Sequence, residues 1–583
     1  MGNQGSQSGL ESPVSDLKTP DRRQMLRGAL VGGAFMLSRP GITEGTPAMR
    51  SPQRASDKNS GGLPSLPSGA VIALNRLGFG PRPGDLADFN ALGGNDTDRL
   101  AAYVAQQLNP DAITDTELDS RLAEANFDSY GLNSDPDTYL ATLWDWYIND
   151  NAPNGETSSS IPKDELIRVV FLRAMYSKKQ LVEVLAAFWL NHFNVFIEDS
   201  SFVRATFPHL DLVVRQNLLG NFRDLLEAVA MSPSMLYYLD NYTSSNAGPN
   251  ENYCRELFEL HCLGSENYLG TMPQSEVPTD GDGKPIGYVD ADVFEATRCF
   301  TGWSFSYGVG DDGDTGLFYY RPDWHDRFQK TVLGNFIDAD QTDLKDGRDV
   351  LDALASHPGT GRYIARKLCR RFLADDPPQS VIDAAAAVFT AQWQAPDQLK
   401  QVYETILTAP EFLNTWGEKV KRPFEIAASA LRAADADFTL KMDDGDTNSF
   451  LFRFDDTGEE PFHWPAPNGF PDRREAWMRM TPRVMSWRLC GWLSDFDDTN
   501  GDYYLDFVGQ TPGGVRSANE LADYWIDRLL GRPMSAEDRD EVVEFMAQGI
   551  NPDLDLNLND SSTANRLRSM AGLILMSPDF LWR

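Results

Sequence analysis

Six histidines are spread over 583 residues, so each setting can be weighed for acid–base or metal chemistry. His192 stands in Trp189-Leu190-Asn191-His192-Phe193, and His325 precedes Asp326 in Trp324-His325-Asp326. An imidazole flanked by an amide or a carboxylate can be oriented as a general base or a metal ligand. His209, His357 and His463 lie beside prolines or at helix starts and have weaker settings. The string from Asn250 to Gly264 supplies the carboxylates. At about 100° per residue, Asn252, Glu256 and Glu259 share one helical face. Glu251 and Arg255 form an i, i+4 pair, and Arg255 also reaches Glu259. Glu256 has no basic residue three or four positions away, so nothing local explains its charge. His261 points away from that face and lies three residues before Gly264, a helix terminator, where it reads as a C-terminal cap.

These residues set the chemical expectation. Glu256, His192 and His325 are the candidate catalytic groups. His192, His325, Asp326 and Glu256 are the candidate ligands of a divalent metal, with Asn252, Trp189 and Trp303 contacting substrate. The reaction class is metal-assisted hydrolysis of an extracellular substrate, with Glu256 as ligand or general base. Calcium is a weaker expectation: Asp444, Asp446, Asn448 and Asp455 approximate an EF-hand loop but lack its glycine at position six and its glutamate at position twelve. The chain has no HExxH, GxSxG or Walker motif, and Gly78-Phe79-Gly80-Pro81 is a turn, not a nucleotide loop.

The elements that must position these groups are helical. Apolar residues recur at i, i+3 and i+4 in run after run from Asp164 to Met576, each bounded by Pro, Gly or an Asp, Ser or Asn start. Alternating patterns are confined to Gly316–Tyr320 and Thr331–Leu333, which predict a small β-hairpin. The expected class is therefore mainly α, a large multi-helix globular fold over 68–583. Irregular Asp/Gly-rich insertions interrupt it near 269–290, 305–345 and 438–475.

Composition narrows the setting. The net charge of −34 disfavours nucleic acid and anionic lipid, and only 13 of the 52 basic residues are lysine. With 41% hydrophobic residues the chain can bury a large core. Five cysteines without a CxxC pair predict a fold that does not rest on disulfides. Residues 1–38 carry Arg22-Arg23 ahead of a ten-residue apolar run, Gly28 to Leu37, too short to span a bilayer. They read as a twin-arginine signal, followed by a flexible leader over 39–67. The expected location is the periplasm or the exterior, with no stable membrane span in the mature chain.

Several segments together resemble a bacterial family known as domain of unknown function 1800. They are Leu74–Gly80, Trp189–Phe193, Asn250–Gly264, Asp292 to Trp303, His325-Asp326 with Lys330, Lys421–Glu425 and Trp464–Gly469. The resemblance implies a helical, exported protein, often accompanied by an exported partner of the alkaline-phosphatase-like class, and it supplies no catalytic residues. The competing class is a non-catalytic extracellular scaffold or binding protein, using an acidic, tryptophan-rich surface.

Overall fold

A computed structural model describes residues 66–310, 312–497 and 501–583 of the chain. The twin-arginine segment and nearly all of the leader lie outside the described residues. The described residues form one compact unit, built of helices from Gly69–Arg76 to Pro578–Leu581. No helix among the described residues is long and apolar enough to cross a membrane.

The innermost helix is Pro423–Ala433, every residue of which is buried. Its composition explains that position: a run of alanines and a serine lets neighbours approach from all sides, as a helix without a polar face requires. Pro423 occupies the first turn, where no N–H is missed, and Glu425 reaches back to accept from the Arg422 N–H at 2.9 Å. Phe424 packs among Phe171 at 4.9 Å, Phe79 at 5.4 Å and Phe454 at 6.1 Å between ring centroids. Around this helix pack Ser160–Tyr176 and Met480–Leu493.

A second layer matters for the site. Helices Pro358–Phe372, Gln379–Ala391 and Gln398–Leu407 pack in succession. His357 starts the first of them: its Nδ1 accepts from the Gly359 N–H at 2.9 Å, while its Nε2 donates to the Pro285 carbonyl at 2.8 Å. That cap fixes where the face carrying Lys367 begins.

Both predicted segments contain a strand, Phe318–Tyr320 in one and Lys330–Val332 overlapping the other, but the two do not pair with each other. Trp303–Phe305 pairs with Phe318–Tyr320, Trp303 opposite Tyr320. Lys330–Val332 pairs with Asn335–Ile337, Val332 opposite Asn335. The reason is local: Leu333 and Gly334 both have positive φ, 49° and 73°, so a two-residue turn closes the second hairpin on itself.

Two other expectations change. The segment read as irregular over 438–475 contains the helix Gly445–Asp455, because Asp444 caps it (Thr447 N–H at 2.7 Å) and Phe450 and Phe454 pack on Phe171. The calcium reading loses its loop there. Asp444 is committed to the cap, Asp446 accepts from the Tyr504 hydroxyl at 2.7 Å, and Asn448 accepts from Arg168 at 2.9 Å, so with Asp455 they do not ring an ion. All five cysteines are buried free thiols. Of the tryptophans expected on the surface, Trp487 is exposed and seven more, Trp146 and Trp464 among them, are half-buried, while Trp144, Trp189, Trp303, Trp477 and Trp525 are buried in the core.

Candidate functional site

The Asn250–Gly264 string is not a regular helix. Asn252–Glu256 is α-helical, and Leu257–Cys262 widens into a π-helix with the Leu263 N–H bonded to the Phe258 carbonyl at 2.8 Å. Such bulges shift side chains off the faces that 3.6-residue arithmetic assigns, and they recur at functional sites. Gly264 ends the turn at φ +81°, and a Cβ there would stand 2.6 Å from the Tyr363 ring. His261 is buried instead of capping. Burial, with the nearby Lys367 charge, pushes its pKa down to about 3, so it stays neutral.

The displaced His261 carbonyl is put to use. His192, at the end of helix Gln180–His192, donates its Nε2–H to it at 3.1 Å. This fixes the His192 tautomer, so its Nδ1 lone pair accepts from the Lys367 ammonium at 2.8 Å. Burial, then the Lys367 charge, holds His192 well below the usual histidine range. Burial also pushes Lys367 down to about 8.

This pair borders a cavity of about 620 Å³ of open space, its mouth included. Helix Gln180–His192 contributes Asn191 and His192, helix Pro358–Phe372 contributes Lys367, Arg370 and Arg371, and Arg422 comes from the start of the innermost helix. The far wall is the proline-rich loop carrying Asn468, Phe470 and Asp472. Two asparagines hold that loop. Asn191 pairs with both the N–H and the carbonyl of Phe470, at 2.7 and 3.0 Å. Asn194 donates to the Trp464 and Ala466 carbonyls at 2.9 and 2.8 Å. Gly469, at φ +69°, is required where the loop meets the helix, since a Cβ would lie 2.2 Å from the Asn191 carbonyl oxygen.

The charges in the cavity do not balance. Arg371 is matched by Glu425 at 2.6 Å, Arg422 by Glu459 at 3.0 Å, and Asp472 by Lys419 at 3.5 Å. Although burial alone would raise it, Glu425 is held far below the usual carboxylate range by Arg371 and Arg583. Lys367 and Arg370 have no carboxylate within ion-pair distance among the described residues, and Asp472 acts on both only from farther off; Arg370 donates its Nε–H to the Asp375 carbonyl at 3.1 Å. Arg371 also keeps Nε and one terminal nitrogen buried without an acceptor. A buried donor without an acceptor is costly.

The residues expected to form a metal centre are not brought together, and no three His, Cys, Asp or Glu side chains among the described residues form a group able to hold an ion. At His192 one nitrogen is bonded to a carbonyl and the other to an ammonium, a poor setting for a cation. His325 points Nδ1 at the Thr301 carbonyl, 2.9 Å, and Nε2 at Asp346, 3.2 Å. Asp326 takes a two-pronged bond from Arg298 at 2.8 and 3.1 Å. Glu256 is half-buried with no ion pair among the described residues, and burial, then Glu259, pushes its pKa up to about 7. Trp189 and Trp303 are wholly buried, Trp189 donating to the Tyr403 hydroxyl at 2.7 Å, so neither can reach a substrate. Asn252 lies 3.4 Å from Asp240 and outside the cavity lining.

His192, singled out by its setting in the sequence, lines this cavity, whereas Lys367, Arg370, Arg371 and Arg422 carry no such local motif. A signal was present: Arg362, Arg366, Lys367, Arg370 and Arg371 crowd one helix of a strongly acidic chain, with Lys367 and Arg370 on one face.

A family model described as "Protein of unknown function (DUF1800)" matches residues 72–582. No curated protein and no solved structure matches the chain.

Proposed function

The chain belongs to the DUF1800 family, and from the cavity itself we propose that it captures an organic anion and acts on it by proton transfer. The observation that carries this reading is the pair of cations, Lys367 and Arg370, with no carboxylate among the described residues within ion-pair distance, in a chain whose net charge is −34. With acidic side chains in such excess, an unmatched lysine and arginine lining one cavity call for an acceptor that arrives with the ligand. Arg371 stands on the same wall and adds its charge. A carboxylate, phosphate or sulfate group meets these cations.

Lys367 is the proton carrier in this reading. At pH 7 it is protonated, and its lowered pKa of about 8 eases transfer of that proton to a leaving oxygen. His192 is a positioning residue: its neutral Nδ1 orients the ammonium, and its Nε2–H is anchored on the π-helix. Hydrolysis, the reaction class expected from the sequence, is compatible with this arrangement through Lys367 as general acid. The metal-assisted version draws less support, since the side chains proposed as ligands are each engaged elsewhere or stand apart. Export by the twin-arginine route stays part of the proposal, on the strength of Arg22-Arg23 and the apolar run behind them. Changing both arginines to lysine is expected to retain the protein in the cytoplasm.

The binding step is tested by titrating inorganic phosphate and sulfate into the protein calorimetrically at constant ionic strength. Saturable binding lost in Arg370→Ala supports the reading; no binding by the wild-type protein removes it.

A further inference from the structure

The cationic cavity has a neighbour of opposite character. A second cavity, about 670 Å³ of open space with its mouth, is lined by Phe79, Val170, Leu190, Phe424 and Phe462 among others. The two share four lining residues: Ala187, Asn191, Arg422 and Phe470. Apart from the Arg422 Nε, which lies 3.0 Å from Glu459 without a formed hydrogen bond, the charged groups of the apolar lobe are engaged with one another. Glu183 and Arg215 bond each other through two oxygens at 2.9 and 3.0 Å, and Arg215 also bonds Asp211 at 2.9 Å. Glu459 accepts from the Phe424 N–H at 3.0 Å and pairs with Arg422. What remains for a ligand there is hydrocarbon surface. In the cationic lobe the reverse holds, because there the unmet demand is for negative charge. Pockets of this size with apolar walls and a few directed polar groups are typical of small-molecule sites.

We infer that the ligand is an amphiphilic anion, its charged head held by Lys367, Arg370 and Arg371 and its apolar body lying past Ala187 and Arg422 against Phe79, Val170 and Phe462. The inference rests on the anion reading above and adds the chemistry of the rest of the ligand. Arg422 is the junction: its charge is tied to Glu459 on the apolar side while it lines the cationic side, so the charged boundary between lobes is fixed in place. An apolar chain entering the second lobe leaves water for a surface that offers no competing hydrogen bonds, so affinity should grow with chain length until the lobe is full.

The test is calorimetric titration of the full mature chain with inorganic phosphate and with n-alkyl phosphates from methyl to hexyl, and with the matching carboxylates. Affinity is expected to rise by up to about fourfold per methylene over the first members of either series. Equal affinity for methyl and hexyl phosphate would overturn the inference while leaving the anion reading intact; failure of every member, inorganic phosphate included, would remove the anion reading itself. The Val170→Phe variant, which narrows only the apolar lobe, is expected to flatten the series and leave inorganic phosphate affinity unchanged. An unaltered series in that variant, with its circular dichroism native, would also overturn the inference. The wild-type series stands by itself should the variant fold poorly.

Discussion

The cavity around Lys367 and the cluster around Lys330 use the same side chains, lysine, arginine, histidine and aspartate, and differ in how their charges are matched. Around Lys330 every cation meets a carboxylate. Lys330 lies 2.6 Å from Asp346 and also bonds the Asp326 carbonyl; Asp346 faces His325 and accepts from Gln341 at 2.9 Å; Asp326 is held by Arg298, which Glu295 also engages at 2.8 Å. Although burial opposes it, His325 and Lys330 hold Asp346 below the usual carboxylate range. That cluster ties the second hairpin and helix Lys345–Ala355 to helix Asp290–Cys299. Around Lys367 two cations have no carboxylate within ion-pair distance among the described residues, and one arginine has buried donors without acceptors. Closed charge networks hold a fold together, whereas an open one lining a cavity is arranged for something that comes and goes.

The largest effect should come from opening the closed network. Asp346→Ala leaves Lys330 buried without its carboxylate and is expected to cost about 3–5 kcal/mol in denaturant unfolding. Phosphate affinity of the folded variant should not change; if it does, the two regions are not independent.

Lys367→Met is the converse. Losing a hydrogen bond from a charged donor should weaken phosphate binding by at least about tenfold, while the melting temperature holds or rises because a buried ammonium is gone. In the wild-type protein the same charge can be titrated. Lys367 loses its proton as pH rises through about 8, so phosphate affinity should fall between pH 7 and 9, and Lys367→Met should show no such fall. A variant that melts early and binds normally would make Lys367 structural.

Glu256 belongs to neither network. Its folded pKa of about 7 lies above the ordinary glutamate value, so between about 4.3 and 7 the folded chain holds a proton the unfolded chain has released, and stability falls as pH rises across that window. Glu256→Gln should remove this slope and stabilise the protein by about 3 kcal/mol at pH 8, with no difference at pH 4. A destabilised variant would mean that Glu256 has a partner after all, as a ligand or metal site would give it.

The smallest effect concerns the segment read as a calcium loop. Asp444→Ala removes a helix cap and is expected to cost about 0.5–1 kcal/mol, equally with calcium or chelator present; a calcium-dependent melt would restore the ion site.

Much of this fold was legible in the sequence, because its causes are local. The i, i+3, i+4 spacing in Gln180–His192 and Ala518–Leu530, the Ser517–Glu520 capping box and the terminator Gly264 act over a turn or two of chain. The Glu251–Arg255 pair, 3.5 Å apart, was legible for the same reason. The π-helix was not. It places Leu257, Phe258 and Cys262 in the core and the His261 carbonyl against His192, contacts supplied by segments far away in sequence. The pairing of His325 with Asp346 and of Asp326 with Arg298 was equally hidden, so residues that looked free to do chemistry prove to be spoken for.

By itself the sequence determined the class of structure, the family segments and the acidic background against which a basic helix stands out. Only the tertiary structure decided which charges would be left over. Whether an arginine or lysine is matched depends on the carboxylates that folding brings within about 4 Å, and for Arg371, Arg422 and Lys419 those lie 54, 37 and 44 residues or more along the chain. Spacing along one helix fixes which face a side chain occupies. The identity of what meets that face is set by packing, and at Lys367 and Arg370 packing brings no carboxylate among the described residues within ion-pair distance.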